Sequence, residues 1–112
     1  MTTPDEFDVT VESAPDGAAI VRVSGELDLA AAPRFEEALS SVRNAGRVAI
    51  DLSSCTFLDS SGVRILAKAA RETTERGAQL DLVASDPAIV RVLEITNVDT
   101  MAPVRASLDD VP

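Results

Sequence analysis

The stretch Val48-Ala49-Ile50-Asp51-Leu52-Ser53-Ser54-Cys55-Thr56-Phe57-Leu58-Asp59-Ser60-Ser61-Gly62-Val63-Arg64-Ile65-Leu66 decides how the rest of the chain is read. Its first part, Val48 to Leu52, is a short and nearly continuous apolar run, the form a strand takes when it is central in a sheet or covered on both faces. From Gly62 the spacing becomes helical. Val63, Leu66, Ala67 and Ala70 mark one face, Arg64, Lys68, Arg71, Glu72 and Glu75 the other, and Gly77 ends the segment. Asp59, Ser60 and Ser61 therefore fall where a buried strand hands over to a helix.

Upstream, Phe7, Val9 and Val11 alternate with Asp8, Thr10 and Glu12, which predicts a strand over residues 7–13 with one wet face. Pro15-Asp16-Gly17 supplies turn chemistry, and Ala18 to Ser24 reads as a second strand closing a hairpin. Gly25 to Leu29 breaks the alternation. Behind Pro33, Phe35, Ala38, Leu39 and Val42 recur at i, i+3, i+4 and i+7, a helix that closes near Gly46. Downstream, Leu80 and Leu82 mark another strand. Ser85-Asp86-Pro87 opens a third helix with Ile89, Val90 and Leu93 as its stripe, ending near Glu94. Met101 to Val104 is expected at a sheet edge, since Pro103 cannot donate to a ladder.

The order β-β-α-β-α-β-α-β predicts an α/β fold. It is a single mixed β-sheet with an N-terminal antiparallel hairpin and β-α-β units, its helices packed mainly on one face. One domain spans residues 1–112, with a core over about 7–104 and frayed ends at 1–5 and 109–112.

Composition excludes several functions. A formal net charge of -9 repels nucleic-acid phosphates and anionic membranes, so neither is an expected partner. No leader and no bilayer-length apolar run is visible, and a cytoplasmic location is expected. The chain has no His, Trp or Tyr, which removes the commonest general base and the commonest metal ligand; no catalytic residue, metal site or cofactor is expected. Cys55 is the only cysteine and reads as a small core residue.

At the strand-to-helix junction two readings stand. Asp59 and the serines suit N-capping, with side-chain oxygens accepting from the free amides of the first helical turn. The same helix start, followed by Gly62, also suits a phosphoryl group, which the dipole would favour. The Gly25–Asp28 segment reads similarly, as a turn with Asp28 capping the first helix.

Gly25-Glu26-Leu27-Asp28, the segment Val48–Leu52 leading to Phe57-Leu58-Asp59-Ser60-Ser61-Gly62, and Pro87 to Leu93 together carry a family likeness. Over about residues 7–104 the chain resembles the STAS domains, the sulfate-transporter and anti-sigma-factor-antagonist family. The resemblance implies an anti-sigma factor antagonist and not an enzyme. Ser60, the first serine of Asp-Ser-Ser-Gly, would be phosphorylated by an anti-sigma factor with serine kinase activity and reset by a serine phosphatase. ATP and magnesium would belong to the kinase. The resemblance also implies that Ser61 caps the helix and that the Asp28 turn lies on the same side as Ser60. The partner-binding set is then Asp28, Asp59, Ser60, Ser61, Gly62 and Arg64, on a monomer or weak dimer.

The chain departs from the family at Val63-Arg64, where Leu-Gly is common, and in its short segment after Ser107. The alternative within the family is a non-switching subunit or scaffold of a lipid-transport ATPase or signalling complex. A remote third reading pairs the carboxylates of Asp51 and Asp59 in an enzyme.

Overall fold

A computed structural model describes residues 6–112. The strands are β1 (Asp8–Ser13), β2 (Ala19–Leu27), β3 (Arg47–Leu58), β4 (Gln79–Val83) and β5 (Val104–Arg105), and the helices are α1 (Ala32–Ser41), α2 (Ser60–Glu75) and α3 (Pro87–Ile95). The sheet order is β1-β2-β3-β4-β5, with β1 antiparallel to β2 and the other pairs parallel. Each parallel neighbour is reached through one helix, and every crossover advances in the same direction across the sheet. Right-handed crossovers of one sense must deposit all three helices on one face. The core lies there: Val21, Val23, Ile50, Leu52 and Leu82 from the sheet meet Phe35, Leu66 and Leu93 from the helices.

The hairpin turn forms as its chemistry requires. Gly17 takes φ +86° and its N–H donates to the Ala14 carbonyl at 3.0 Å, while the Asp16 carboxylate accepts from the Ala18 N–H at 3.1 Å. β3 is central, as its apolar run implies, and Cys55 is buried within it. Burial pushes the Cys55 thiol pKa up.

The face without helices is polar but internally paired. Arg22 donates to Glu12 at 2.8 Å and to Asp51 at 2.9 Å, and Arg105 donates to Asp81 at 3.1 Å. Asp51 and Asp81 are both buried, and Ser53 and Gln79 satisfy their remaining oxygens. A carboxylate withdrawn from water this far is tolerated only with such partners.

Three expectations are corrected. β2 runs on to Leu27 and β3 to Leu58, well past Ser24 and Leu52, with register shifts between Arg22 and Ser24 and between Gly25 and Glu26. Gly25 takes φ +78° at the second shift. The last strand is Val104–Arg105; Met101 instead closes a 3-10 turn over Val98–Thr100, and the Pro103 carbonyl accepts from the Leu82 N–H at 2.8 Å. Leu108–Asp110 form a 3-10 turn capped by the Ser107 hydroxyl, and the Arg47 guanidinium donates to the Pro112 carbonyl. The expected loose end at residues 1–5 lies outside the described residues.

Candidate functional site

β2 and β3 stay paired to their last residues, Leu27 and Leu58. Both side chains are buried, so the residues that follow emerge together at one end of the sheet. The Asp59 N–H adds a final rung to the Leu27 carbonyl at 3.3 Å. That bond holds Asp59 extended, at φ -101° and ψ -175°, with its carboxylate turned onto the start of α2. Asp59 Oδ1 accepts from the Ser61 N–H at 2.9 Å and the Gly62 N–H at 3.2 Å, and its carbonyl accepts from the Val63 N–H at 3.0 Å. One residue thus satisfies three of the first four amides of the helix.

Asp59, and not Ser61, is therefore the cap. Ser61 is half-buried, and among the described residues its hydroxyl makes no hydrogen bond. Ser60 is the first residue of α2 and is exposed, its hydroxyl likewise uncommitted among the described residues. Asp59→Ala is expected to cost about 1–2 kcal/mol, lowering Tm by roughly 4–8 °C, whereas Asp59→Asn should keep most of that stability. Thermal melts of the two variants make the comparison.

Gly62 is buried because α2 starts hard against the ends of β2 and β3. A Cβ at this position would lie 2.6 Å from Leu58 Cδ1, 2.8 Å from Leu27 Cγ and 3.0 Å from the Leu27 carbonyl oxygen. Asp28 follows Leu27 directly, beside Asp59 across the strand pair. Its side chain closes a turn by accepting from the Ala31 N–H at 3.0 Å, and its carbonyl accepts from Ala31 and Ala32 at 3.1 Å. The residue at the N-cap of α1 is Ala31, so Asp28 braces the turn before the helix and does not cap the helix itself. Arg64 is exposed one turn along α2 from Ser60.

The structure thus gathers Asp28, Asp59, Ser60, Ser61 and Gly62 at one end of the sheet, with Arg64 on the adjoining helix surface. Glu26 and the exposed Asp86, which caps α3, lie at the same end. Two residues absent from the sequence-based set join them. Leu29 is 74% exposed in the turn after β2, and Phe57 is 49% exposed beside Glu26 in the β2–β3 register. The available signal was the alternation itself, because a buried Leu58 turns Phe57 outward.

The paired carboxylates of the enzyme reading do not form. Asp51 lies on the helix-free face bonded to Arg22 and Ser53, whereas Asp59 is committed to the amides of α2. Among the described residues no cluster of Cys, Asp and Glu could hold a metal ion, and no helix is long and apolar enough to cross a membrane. Cavities of about 760 Å³ beneath Arg47 and Gln79 and about 510 Å³ between α1 and α2 both leave Ser60 outside their linings. Ser60 stands on open surface.

Known proteins share this architecture. The chain is 33% identical over 112 residues to the anti-sigma-F factor antagonist RsfB of Mycobacterium tuberculosis, covering 98% of this chain and 90% of that protein. A crystal structure of an anti-sigma factor antagonist from Mycobacterium paratuberculosis superposes with a TM-score of 0.85 at 36% identity, over 98% of this chain and 94% of that one. The phosphorylated form of the Bacillus cell fate determinant SpoIIAA, at 19% identity, shares the fold with a TM-score of 0.72 over 92% and 95% of the two chains. The two mycobacterial relatives are named for antagonism, a binding function, and not for a catalysed reaction. The STAS domain pattern matches residues 10–111, and with the topology and the strand-to-helix junction just described, the chain belongs to the STAS domain family.

Proposed function

We propose that the protein is an anti-sigma factor antagonist whose binding is switched by phosphorylation of Ser60. The observation that carries this reading is the uncommitted, exposed Ser60 hydroxyl on open surface, beside a separate residue that already caps the helix. A hydroxyl needed for capping could not be modified without cost to the fold; this one is free. The names of the mycobacterial relatives support the partner class.

In the unmodified state the end of the sheet docks onto an anti-sigma factor and displaces its sigma factor. Leu29 and Phe57 supply apolar anchors. Glu26, Asp28, Asp59 and Asp86 surround them and the exposed Arg64 stands beside Ser60, so the complementary partner surface is an apolar pocket with basic groups facing those carboxylates and a carboxylate facing Arg64. The bound partner, acting as a kinase, transfers the terminal phosphoryl group of ATP to Ser60 Oγ, releasing ADP and the hydroxyl proton. A serine phosphatase later hydrolyses the ester.

Incubation with the cognate anti-sigma factor and ATP, followed by mass spectrometry, tests the modification. The phosphate is expected on Ser60 and absent from Ser60→Ala; transfer to Ser61 would overturn the assignment. Leu29→Ala and Phe57→Ala are each expected to weaken the complex about tenfold or more, with Tm scarcely changed because both side chains are substantially exposed. Calorimetric titration reads both.

A further inference from the structure

Resting on phosphorylation of Ser60, we propose that Arg64 is a phosphate clasp, closing onto the phosphoryl group and laying it along the surface of α2. The case starts from what the helix start no longer offers. Asp59 occupies the Ser61, Gly62 and Val63 amides, which leaves the Ser60 amide alone among the first four without an acceptor among the described residues. The Asp59 carboxylate also places a negative charge next to the incoming phosphate. The helix terminus by itself is thus a poor phosphate site, and the group needs a cation.

Three basic side chains, Arg64, Arg71 and Arg91, have neither an ion pair nor a side-chain hydrogen bond among the described residues. Of these, only Arg64 lies at i+4 from Ser60, where helical geometry sets Cβ atoms about 5–6 Å apart on one face. The guanidinium fork matches two phosphate oxygens. The next cation along this face, Lys68, stands two turns from Ser60, between Glu36 at 4.0 Å and Glu72 at 3.9 Å. Clasping commits Arg64 to the phosphate and removes a positive charge from the surface a partner meets. Phosphorylation then changes the docking face twice over, by an added anion and a withdrawn cation.

The test uses full-length protein with phosphoserine incorporated at position 60 during synthesis, so that it stands or falls without a kinase; the labelling experiment above decides the modification separately. Phosphorus NMR titration of wild type, Arg64→Gln and Lys68→Gln follows the second ionisation of the phosphate, near pH 6 in free phosphoserine. The expected midpoint is about 0.5 pH unit lower in wild type than in Arg64→Gln, with Lys68→Gln matching wild type. Equal midpoints in wild type and Arg64→Gln would overturn the clasp. So would an equal rise in Lys68→Gln, which would mark a diffuse field of the helix in place of a specific contact.

Discussion

Phosphorylated at Ser60, the protein is expected to bind its anti-sigma factor at least a hundredfold more weakly than the unmodified chain, with Tm shifted by no more than about 2 °C. The phosphoryl group brings about -1.5 to -2 charges near neutral pH. Against a partner carboxylate about 6 Å away, at an effective dielectric near 20, each unit of charge costs roughly 3 kcal/mol, about a hundredfold in affinity. Even where the phosphate faces no carboxylate, its bulk and hydration must be removed from the contact. Fold stability is insulated because the Ser60 side chain contributes neither to the core nor to the cap. Ser60→Asp, with a single charge on a shorter arm, should show a weaker effect in the same direction. Calorimetric titration of the three forms alongside thermal melts gives the comparison, and equal affinities for modified and unmodified protein would sink the charge switch.

The second large effect concerns Gly62. Replacement of a helical glycine normally stabilises, and for Val the propensity gain is about 0.3 kcal/mol. Here the added atoms would meet two leucine side chains and a backbone carbonyl at 2.6–3.0 Å. The carbonyl cannot step aside, since it carries the last rung of the β2–β3 ladder to Asp59. Overpacking of this kind costs about 1–3 kcal/mol, and the β-branched Val lies at the upper end. Gly62→Val is therefore expected to lose about 3 kcal/mol and roughly 12 °C in Tm. It should also weaken partner binding, because a displaced α2 carries Ser60 and Arg64 with it. A variant that melts like wild type would show that the junction is looser than its contacts require.

Sequence periodicity makes the hairpin, the three helices and the parallel order legible, because each depends on local spacing and on the single handedness of β-α-β crossovers. The far halves of β2 and β3 are not legible in this way. Ser53, Ser54 and Thr56 are exposed polar residues that mimic a loop, and the register shifts near Gly25 interrupt the period of two on which a strand assignment relies. The capping error has a similar origin. Asp59, Ser60 and Ser61 are interchangeable as caps by residue type, and the choice is made by the tertiary bond from Asp59 to Leu27. Leu29 and Phe57 escaped notice because apolar residues in sequence default to the core. Their exposure becomes visible only when Leu27 and Leu58 are seen to occupy the buried side.

The strand order, identical to the chain order, bears on how the molecule is made. Each new strand joins the edge left by the one before, so no early segment waits for a distant partner, and loop-closure costs stay low throughout assembly. The junction of Asp28, Asp59, Ser60 and Gly62 draws only on β2, β3 and α2, which are complete in sequence by Glu75. Asp86, at the same end, is added only with the chain that follows β4, so the acidic rim is the last part of that end to be completed. Until Gln79–Val83 arrive, however, the starting half of β3 presents a bare apolar edge. That edge is the part of an incomplete chain most open to misassociation.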